Sequence, residues 1–273
     1  MSDDNKVKSV VELVAEQPNV DRTEAFEELW AIFGDLRGRI DGRFELAMDE
    51  STKDLQPYEA INGSGARGLM SNWSGEEMDW LVHSWIGNPE HSFANMHLTA
   101  WLPPTTRVPH LAFALATLPD IFFYMDLVPR ADLQMDTAYL DKYYTAANEL
   151  SIKFRENPNM NWFYSRSLYV REALSETALC YTCKYTPENM AEIKSAAQEM
   201  MTLWFNFLDE GDPVPEAEQA ALAERDLFFR RTIAERDPAN ILGERMFGKD
   251  LTDRLVRALW GADRTLPRPG VDS

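Results

Sequence analysis

Apolar residues recur every three to four positions in several parts of the chain, and this spacing predicts amphipathic helices. The first such run places Phe26, Leu29 and Phe33 on one side of a helix that begins near Asp21. The same spacing predicts four more helices: residues 137–150, 187 to about 208, 224–237 and 249–260.

Short runs rich in aromatic and β-branched residues predict strands between the helices. Four of them follow one another closely, at residues 80–86, 96–102, 109–117 and 121–127. Connections this short cannot hold a crossover helix, so the four strands should be antiparallel neighbours. Further strands are predicted at residues 43–48, 168–171 and 177–185. This order predicts an α/β fold of the α+β type, in which helices cover one antiparallel sheet.

The predicted helix at 224–237 must end at Asp237, because Pro238 disfavours helical geometry in the residue before it. We expect an irregular crossing after it, with Gly243 and Gly248 as helix breakers, before the last helix begins. Asp237 therefore lies at a helix end beside a rigid proline. Its carboxylate is either an ordinary capping or turn group or a functional acid, and the local pattern does not distinguish the two.

Composition narrows the class of protein. The chain has 273 residues, of which 45% are apolar, enough for one sizeable core. We divide it into an extension at 1–20, a single domain at 21–262 and a tail at 263–273. No apolar run is long enough to span a membrane and the first residues are too polar for a signal peptide, so we expect a cytoplasmic protein. The net charge of −18 argues against binding DNA or RNA.

Neither the cysteines nor the histidines have the spacing of a metal site. Cys180 and Cys183 form a C-x-x-C pair, but a strand directs residues three positions apart to opposite faces. The four histidines lie between His83 and His110 without H-x-H or H-E-x-x-H spacing. We therefore expect structural cysteines and no metal. The glycine-rich segment at 61–68 also lacks the spacing of a phosphate loop.

Several segments resemble a known enzyme family. ERDLFFRRTIAERDPA at 224–239 is followed by ERMFG and an amphipathic helix, and the likeness extends through residues 98–133 and 168–178. Together these segments resemble the ferredoxin-dependent bilin reductases, and most closely their plant relatives, the red chlorophyll catabolite reductases. The resemblance implies a three-layer α/β/α sandwich with a central antiparallel sheet. It also implies a linear tetrapyrrole held between the sheet and the C-terminal helices.

The resemblance further implies an oxidoreductase that acts on CH–CH groups of red chlorophyll catabolite or of a bilin such as biliverdin. Reduced ferredoxin is then a transient partner that supplies single electrons, and the protein supplies protons. No flavin, nicotinamide or metal is expected to be bound. A second copy of the chain, forming a homodimer, is a further candidate partner.

The proton-donating roles implied by the family fall on Asp237 and His83. By strand alternation, His83 shares a face with Leu81 and Trp85. A histidine beside aromatic side chains can lie against a flat conjugated ligand and donate a proton near neutral pH. Trp85 is accordingly a candidate to contact the substrate. The alternative for His83 is a packed histidine at the edge of the core.

Ala114 is the main departure from the family's pattern. Residues 109–117 resemble the strand on which bilin reductases carry a catalytic aspartate and the plant enzymes a glutamate. Alanine cannot transfer a proton. His110 shares the face of Ala114 by even spacing and is a candidate substitute. Two alternatives therefore stay open, a tetrapyrrole-binding protein that has lost the reaction and a reductase of another conjugated substrate.

The candidate groups for the substrate's propionates are Arg171, Arg230 and Arg231, because a guanidinium fork matches a carboxylate. Residues 220–260 carry 7 acidic and 8 basic side chains, a net charge of +1 in an otherwise acidic chain. Ferredoxin is therefore expected to dock there, with Arg254 and Arg257 in the contact. Asp126 and Arg130 match a D-L-x-x-R segment of the family, and we interpret both as structural.

Overall fold

The structure, a computed structural model, describes residues 10–15, 18–118 and 120–261. Most of the predicted extension and the whole predicted tail at 263–273 lie outside these residues. Within them the helices are α1 (Val10–Ala15), α2 (Thr23–Asp41), α3 (Thr137–Glu156), α4 (Leu168–Glu172), α5 (Pro187–Glu210), α6 (Glu216–Arg236), α7 (Asn240–Phe247) and α8 (Lys249–Trp260). The strands are β1 (Ala47–Met48), β2 (Tyr58–Glu59), β3 (Arg67–Gly75), β4 (Met78–Asn88), β5 (Phe93–Trp101), β6 (His110–Thr117), β7 (Ile121–Val128), β8 (Asn161–Trp162) and β9 (Leu179–Cys183).

All of these strands join one sheet. Its order is β1-β3-β4-β5-β6-β7-β9-β8, with β2 also paired to β3, and every pairing is antiparallel. The strands predicted at 80–86, 96–102, 109–117 and 121–127 are β4 to β7, which are neighbours in chain order. The short connections between them explain this arrangement, and the prediction of antiparallel neighbours is confirmed.

Helices α2, α3 and α5 cover one face of the sheet and enclose the larger core. On this face Leu98, Phe113 and Met125 are adjacent cross-strand partners with almost no exposed surface. Each such side chain stabilises the fold by roughly 1.5–3 kcal/mol relative to exposure. The indole N–H of Trp204 in α5 donates to the carbonyl of Pro109 at 2.9 Å, so the polar atom of this buried ring is also satisfied.

Helices α6, α7 and α8 cover the opposite face around a smaller apolar cluster. The Ala258 carbonyl of α8 accepts hydrogen bonds from Trp80 Nε1 at 2.7 Å and from Asn72 Nδ2 at 3.1 Å. These bonds attach α8 to β4 and β3. Helices on both faces of an antiparallel sheet form the three-layer α/β/α sandwich that the resemblance implied.

A buried ion pair attaches α6 to the sheet. Arg130, just after β7, contacts Asp226 of α6 at 2.6 Å and also donates to the carbonyls of Pro103 and Thr106. The structural interpretation of Arg130 fits these contacts. Asp126 does not pair with it, and accepts hydrogen bonds from Ser175 instead.

Two elements differ from the predicted strands. Residues 168–171 belong to helix α4, because Ser167 Oγ accepts from the Val170 N–H at 3.5 Å and initiates a helical turn. Strand β3 was not predicted, since its centre, Ser71 and Asn72, is polar. These residues are nevertheless buried, and Asn72 Nδ2 donates to the carbonyls of Leu81 and Ala258.

The C-terminal third confirms one expectation and corrects two. Helix α6 does end at Asp237, which has extended backbone angles. The segment after it is helix α7, not an irregular crossing. Gly243 lies inside α7, where a Cβ would meet Thr252 of α8 at 2.9 Å, so this glycine permits close packing. The segment 211–215 between α5 and α6 is attached to the connection before β6, because the Val214 N–H donates to the Thr105 carbonyl.

Across the described residues, no helix is both long and apolar enough to span a membrane. No cluster of three histidine, cysteine or acidic side chains in that part of the chain has the arrangement of a metal site.

Candidate functional site

One row of cross-strand neighbours forms the floor of a cavity. Paired residues in adjacent strands point to the same face of the sheet, so the register identifies the members of the row. They are Met70, Ser84, His97, Ala114, Tyr124 and Cys180, one from each of β3, β4, β5, β6, β7 and β9. All six line the cavity.

The C-terminal helices form the roof of this cavity, which has a volume of about 300 Å³. Phe229 and Ile233 contribute from α6, Met246 from α7 and Leu259 from α8, and Val170 of α4 closes one side. The lining is largely aromatic and aliphatic with a few polar groups, as in sites that bind flat organic ligands. Among the described residues, no lysine or arginine lines it.

Asp237 lies in the roof at the corner between α6 and α7, and it lines the cavity. Its Oδ1 accepts a hydrogen bond from the Ala239 N–H at 2.8 Å, so the carboxylate caps the turn that leads into α7. Burial raises the pKa of Asp237, and the Ala239 hydrogen bond offsets only part of that effect. The two interpretations left open by the sequence are thus compatible, because one oxygen caps the turn while the group faces the cavity.

His97 lies in the floor directly across from Ala114. Its Nε2 is 3.1 Å from Asn95 Nδ2, and an amide that donates to Nε2 leaves the imidazole proton on Nδ1. Burial lowers the pKa of His97 to about 4, so the ring is neutral near pH 7. The sequence pattern alone did not indicate His97 as a proton donor. The signal that identifies it is cross-strand pairing with Ala114, which becomes available only when the register is known.

His83 lies on the opposite face of the sheet from this cavity. It stacks on Trp30 of α2 with ring centroids 4.2 Å apart, and burial lowers its pKa to about 4. Its cross-strand partner in β5 is Leu98, whose neighbour His97 has the opposite orientation. His83 is therefore the packed histidine of the alternative interpretation, and we withdraw it as a proton donor at this cavity.

His110 and Trp85 also differ from expectation. His110 is buried at the start of β6, where Nδ1 accepts from the Leu102 N–H at 3.0 Å and Nε2 lies 3.5 Å from Asp226. It is not among the residues that line the cavity, although it shares the sheet face of Ala114. Trp85 borders the cavity, but its ring packs against Phe26 of α2 with centroids 4.9 Å apart.

The three arginines proposed for the propionates lie outside the cavity lining. Arg230 is buried against Asp79 at 2.8 Å and stacks over Trp101. Arg231 is also buried. Arg171, in α4, donates to the Ser165 carbonyl at 2.7 Å and stacks over Tyr164. Only Arg171 is partly exposed, beside the cavity wall.

The two cysteines point to opposite faces, as strand alternation predicted. Cys183 lies in the larger core, whereas Cys180 lines the cavity. Cys180 is thus a cavity residue. Burial raises the pKa of its thiol to about 12, so it is a weak nucleophile at neutral pH, and we expect a ligand to bind here without a covalent bond.

Known structures share this fold. Phytochromobilin synthase from tomato, solved in complex with biliverdin, superimposes with a TM-score of 0.76 over 86% of this chain and 83% of that chain, at 16% sequence identity. At this identity the likeness establishes the fold alone. The fold of this chain is therefore the α/β/α sandwich that phytochromobilin synthase also has.

Sequence comparison identifies the family. The profile described as Red chlorophyll catabolite reductase (RCC reductase) matches residues 32–260. The chloroplastic red chlorophyll catabolite reductase of Arabidopsis thaliana is 27% identical over 246 residues, which are 82% of this chain and 77% of that protein. The chloroplastic reductase 1 of Oryza sativa subsp. japonica is 27% identical over 212 residues, 72% of this chain and 64% of that protein. The chain belongs to the red chlorophyll catabolite reductase family.

Proposed function

We propose that this protein is a ferredoxin-dependent reductase of a linear tetrapyrrole, with red chlorophyll catabolite as the first substrate to test. The observation that carries the proposal is the cavity between the sheet and the C-terminal helices, with His97 in its floor and Asp237 in its roof. A flat conjugated ligand between these layers has a proton-donating group on each side. Family membership supports the same substrate class.

The two groups act at different points of the reaction. Asp237 holds its proton to a higher pH than an ordinary aspartate because it is buried, so it can donate to a pyrrole nitrogen or carbonyl of the ligand. His97 is neutral, and its N–H can donate once an electron has made the ligand more basic. Each transfer moves the negative charge from the ligand to the donor, which must then regain a proton because an unpaired charge is costly in an apolar cavity.

The absence of lysine and arginine from the described lining restricts how the ligand lies. A buried carboxylate without a cation or several hydrogen bonds is strongly unfavourable. We therefore place the carboxylate-bearing arms of the ligand at the cavity opening rather than in its interior. Arg171, partly exposed beside Val170 of the cavity wall, is the one arginine of the three that can still meet such an arm.

Electrons enter, in this proposal, from a reduced ferredoxin that docks beside the cavity. Beside the cavity, several exposed aromatic rings each have an arginine guanidinium stacked over them, and we name this set the arginine–aromatic surface. It comprises Arg155 over Trp162 at 4.3 Å, Arg171 over Tyr164 at 4.6 Å and Arg236 over Tyr169 at 5.0 Å.

Residues 162–164 connect this surface to the cavity. Trp162 and Tyr164 belong to the surface, whereas Phe163 between them lines the cavity and contacts Phe122 of the floor, with ring centroids 5.3 Å apart. An aromatic path therefore joins the surface to the bound ligand. Ferredoxins are typically acidic, so the arginines supply a complementary charge. Arg254, expected at the contact from sequence, pairs instead with the Asp54 carboxylate.

The test is anaerobic incubation of the protein with red chlorophyll catabolite, reduced ferredoxin and a system that keeps ferredoxin reduced. Conversion of the pigment, followed by its visible spectrum and chromatography, is the expected result, with biliverdin assayed in parallel. Binding without conversion of either pigment would overturn the reductase assignment and indicate a tetrapyrrole-binding protein, the alternative that alanine at position 114 favours.

A further inference from the structure

Ala114 stands where the family carries an acid, and the neighbouring strand places a hydroxyl group beside it. Tyr124 of β7 is the direct cross-strand partner of Ala114, on the side opposite His97. Its side chain lines the cavity floor. The three residues thus form one continuous row in which the small methyl group of Ala114 separates two side chains able to exchange protons.

Beside Tyr124, two residues further along β7, lies the fully buried carboxylate of Asp126, which is not among the cavity-lining residues. Tyr124 donates a hydrogen bond to Asp126 Oδ2 at 3.2 Å. Asp126 also accepts from the Ser175 N–H at 2.9 Å and from Ser175 Oγ at 2.5 Å. Ser175 Oγ is in turn 3.1 Å from Thr177 Oγ1. A chain of exchangeable groups therefore runs from the cavity floor into the loop before β9.

The surroundings of Asp126 differ from those of a structural buried carboxylate, which is usually paired with a cation. The nearest arginine in sequence, Arg130, is committed to Asp226. No ion pair to Asp126 is found in the described part of the chain. The titratable groups that face it are the phenol of Tyr124, the thiol of Cys180 from β9 and the phenol of Tyr144 from α3.

These neighbours leave Asp126 free to hold a proton. Burial raises its pKa to about 7, although the hydrogen bonds from Ser175 and Tyr124 oppose that rise. Burial also raises the pKa of Asp237 in the cavity roof. The site therefore contains two carboxyl groups whose pKa values are raised by burial, Asp237 in the roof and Asp126 beside the phenol of Tyr124.

We propose that Tyr124 is a second proton donor to the bound pigment and that Asp126 restores its proton, in place of the acid that position 114 lacks. The inference rests on the proposed reductase function, because the pigment supplies the base. Tyr124 contacts the ligand and is the catalytic residue of the pair. Asp126 acts through it and is a positioning and relay residue.

The step balances with one electron and one proton. Reduced ferredoxin transfers one electron to the pigment, which becomes an anion radical, and the iron–sulfur centre of ferredoxin is oxidised. When Asp126 is protonated at Oδ2, its contact with Tyr124 reverses, so the carboxyl group donates to the phenol oxygen and the Tyr124 O–H is free to meet the pigment. The O–H bond of Tyr124 breaks and its proton goes to the pigment, and the phenolate takes the proton from Asp126 Oδ2. The Asp126 carboxylate regains a proton from water through Thr177 and Ser175, and rotation of the carboxyl group returns that proton to the side of Tyr124.

The test compares Tyr124→Phe and Asp126→Asn with Tyr144→Phe as the matched control. Tyr144 is also buried, but its hydroxyl bonds to the Leu127 carbonyl and does not line the cavity. The first two variants should bind pigment as wild type does and lose roughly 10²-fold in turnover, the lower end of general acid effects. The anion radical should accumulate in both, as seen by electron paramagnetic resonance. Wild-type turnover in Tyr124→Phe would overturn the proposal.

Rescue separates a chemical role from a structural one. Ala114→Glu in the Tyr124→Phe background returns an acid to the adjacent position of the row, and it should recover most of the lost turnover. Failure of rescue in a variant that folds and binds pigment would contradict proton supply at this place.

The protonation of Asp126 can be measured without turnover, so this measurement tests the proton relay separately from the proposed reductase function. In infrared difference spectra of the pigment-free protein, the protonated carboxyl band of Asp126 should vanish as the pH rises through about 7. It should persist to higher pH in Tyr124→Phe, because the variant lacks one donor to the carboxylate. If wild type reduces no pigment yet shows this titration, the reductase function fails and the proton-holding pair stands. An Asp126 ionised throughout would overturn the relay.

Discussion

At the scale of single residues, Asp237 combines a capping bond with a position in the cavity roof. Asp237→Asn keeps the acceptor for the Ala239 N–H and removes the ionisable group. We expect unchanged folding and pigment binding with turnover lower by roughly 10²–10⁴-fold, since one proton transfer is lost. Single-turnover kinetics under anaerobic conditions measure this. Turnover equal to wild type would assign Asp237 to capping alone.

His97 and His83 form a matched pair for the same kind of test. Both are partly buried histidines on adjacent strands with pKa values lowered to about 4 by desolvation, but only His97 lines the cavity. His97→Gln should lower turnover by roughly 10²-fold, whereas His83→Gln should leave it near wild type. Steady-state rates normalised to bound pigment are the measurement. The reverse order of effects would return the role to His83.

The sequence could not choose between these histidines. Alternation along β4 places His83 with Leu81 and Trp85, as predicted, but it does not indicate which face of the sheet meets the ligand. That choice usually comes from a contrast between apolar and polar faces. Helices cover both faces here, and every residue of β6 from His110 to Thr117 is buried. The pattern therefore carries no information about the side on which the cavity lies.

At the scale of elements, α6 is the part of the roof that an ion pair holds in place. Burial opposes the charge of Asp226, yet His110 and Arg130 hold its pKa at about 2. Asp226→Ala leaves the Arg130 guanidinium buried without its carboxylate, and breaking such a pair costs about 3–5 kcal/mol. We expect a matching loss in the free energy of unfolding, measured with urea, and weaker pigment binding because α6 is released.

Asp54→Ala is the control for this element. It removes the exposed partner of Arg254 on α8, and an exposed pair contributes little to stability. Unfolding should therefore match wild type. Equal losses of stability in Asp54→Ala and Asp226→Ala would show that burial does not make the Arg130–Asp226 ion pair more stabilising than an exposed pair.

The prediction of elements succeeded where local sterics decide and failed where packing decides. Pro238 ends α6 at Asp237 regardless of context, because its ring excludes helical geometry before it. Gly243, by contrast, was expected to break a helix and lies within α7. The contact with Thr252 explains why a glycine is present there, and that contact exists only when α7 and α8 are packed together.

At the scale of the whole molecule, three histidines with lowered pKa values couple stability to pH. Burial lowers the pKa values of His83, His97 and His110 to about 4. Between about pH 6.5 and 4 the unfolded chain binds protons that the folded chain excludes, so stability falls as the pH falls. In that window each histidine lowers the free energy of unfolding by up to about 1.4 kcal/mol for each unit by which the pH falls.

His83→Gln isolates one of these contributions. Asp126 and Asp237, whose pKa values are raised, act with the opposite sign, but they are common to both proteins and cancel in the comparison. Urea unfolding at pH 7 and pH 5 should show a smaller loss of stability in the variant than in wild type. The same loss in both proteins would mean that His83 is protonated in the folded state.

The docking of ferredoxin is also a property of the whole molecule, because the chain carries a net charge of −18. The Debye length at physiological salt is about 8 Å, so the arginine–aromatic surface outweighs the distant acidic groups. Arg155→Glu should raise the KM for ferredoxin several-fold without changing pigment binding, and turnover should fall as ionic strength rises. Arg254→Glu is the control with little effect. Turnover that rises with salt would contradict docking at this surface. The cytoplasmic location and the homodimer stay predictions.

The sequence pattern by itself determined that helices cover one antiparallel sheet, that β4 to β7 follow one another as antiparallel neighbours and that α6 ends at Asp237, while the family resemblance implied the three α/β/α layers. Short connections and proline sterics act over a few residues, so they can be read directly. Only the tertiary structure decided that His97, Ala114 and Tyr124 share the cavity floor and that Arg230 and Arg231 are buried away from it. Those placements depend on register across strands distant in sequence and on which helices cover each face, and no local pattern encodes either.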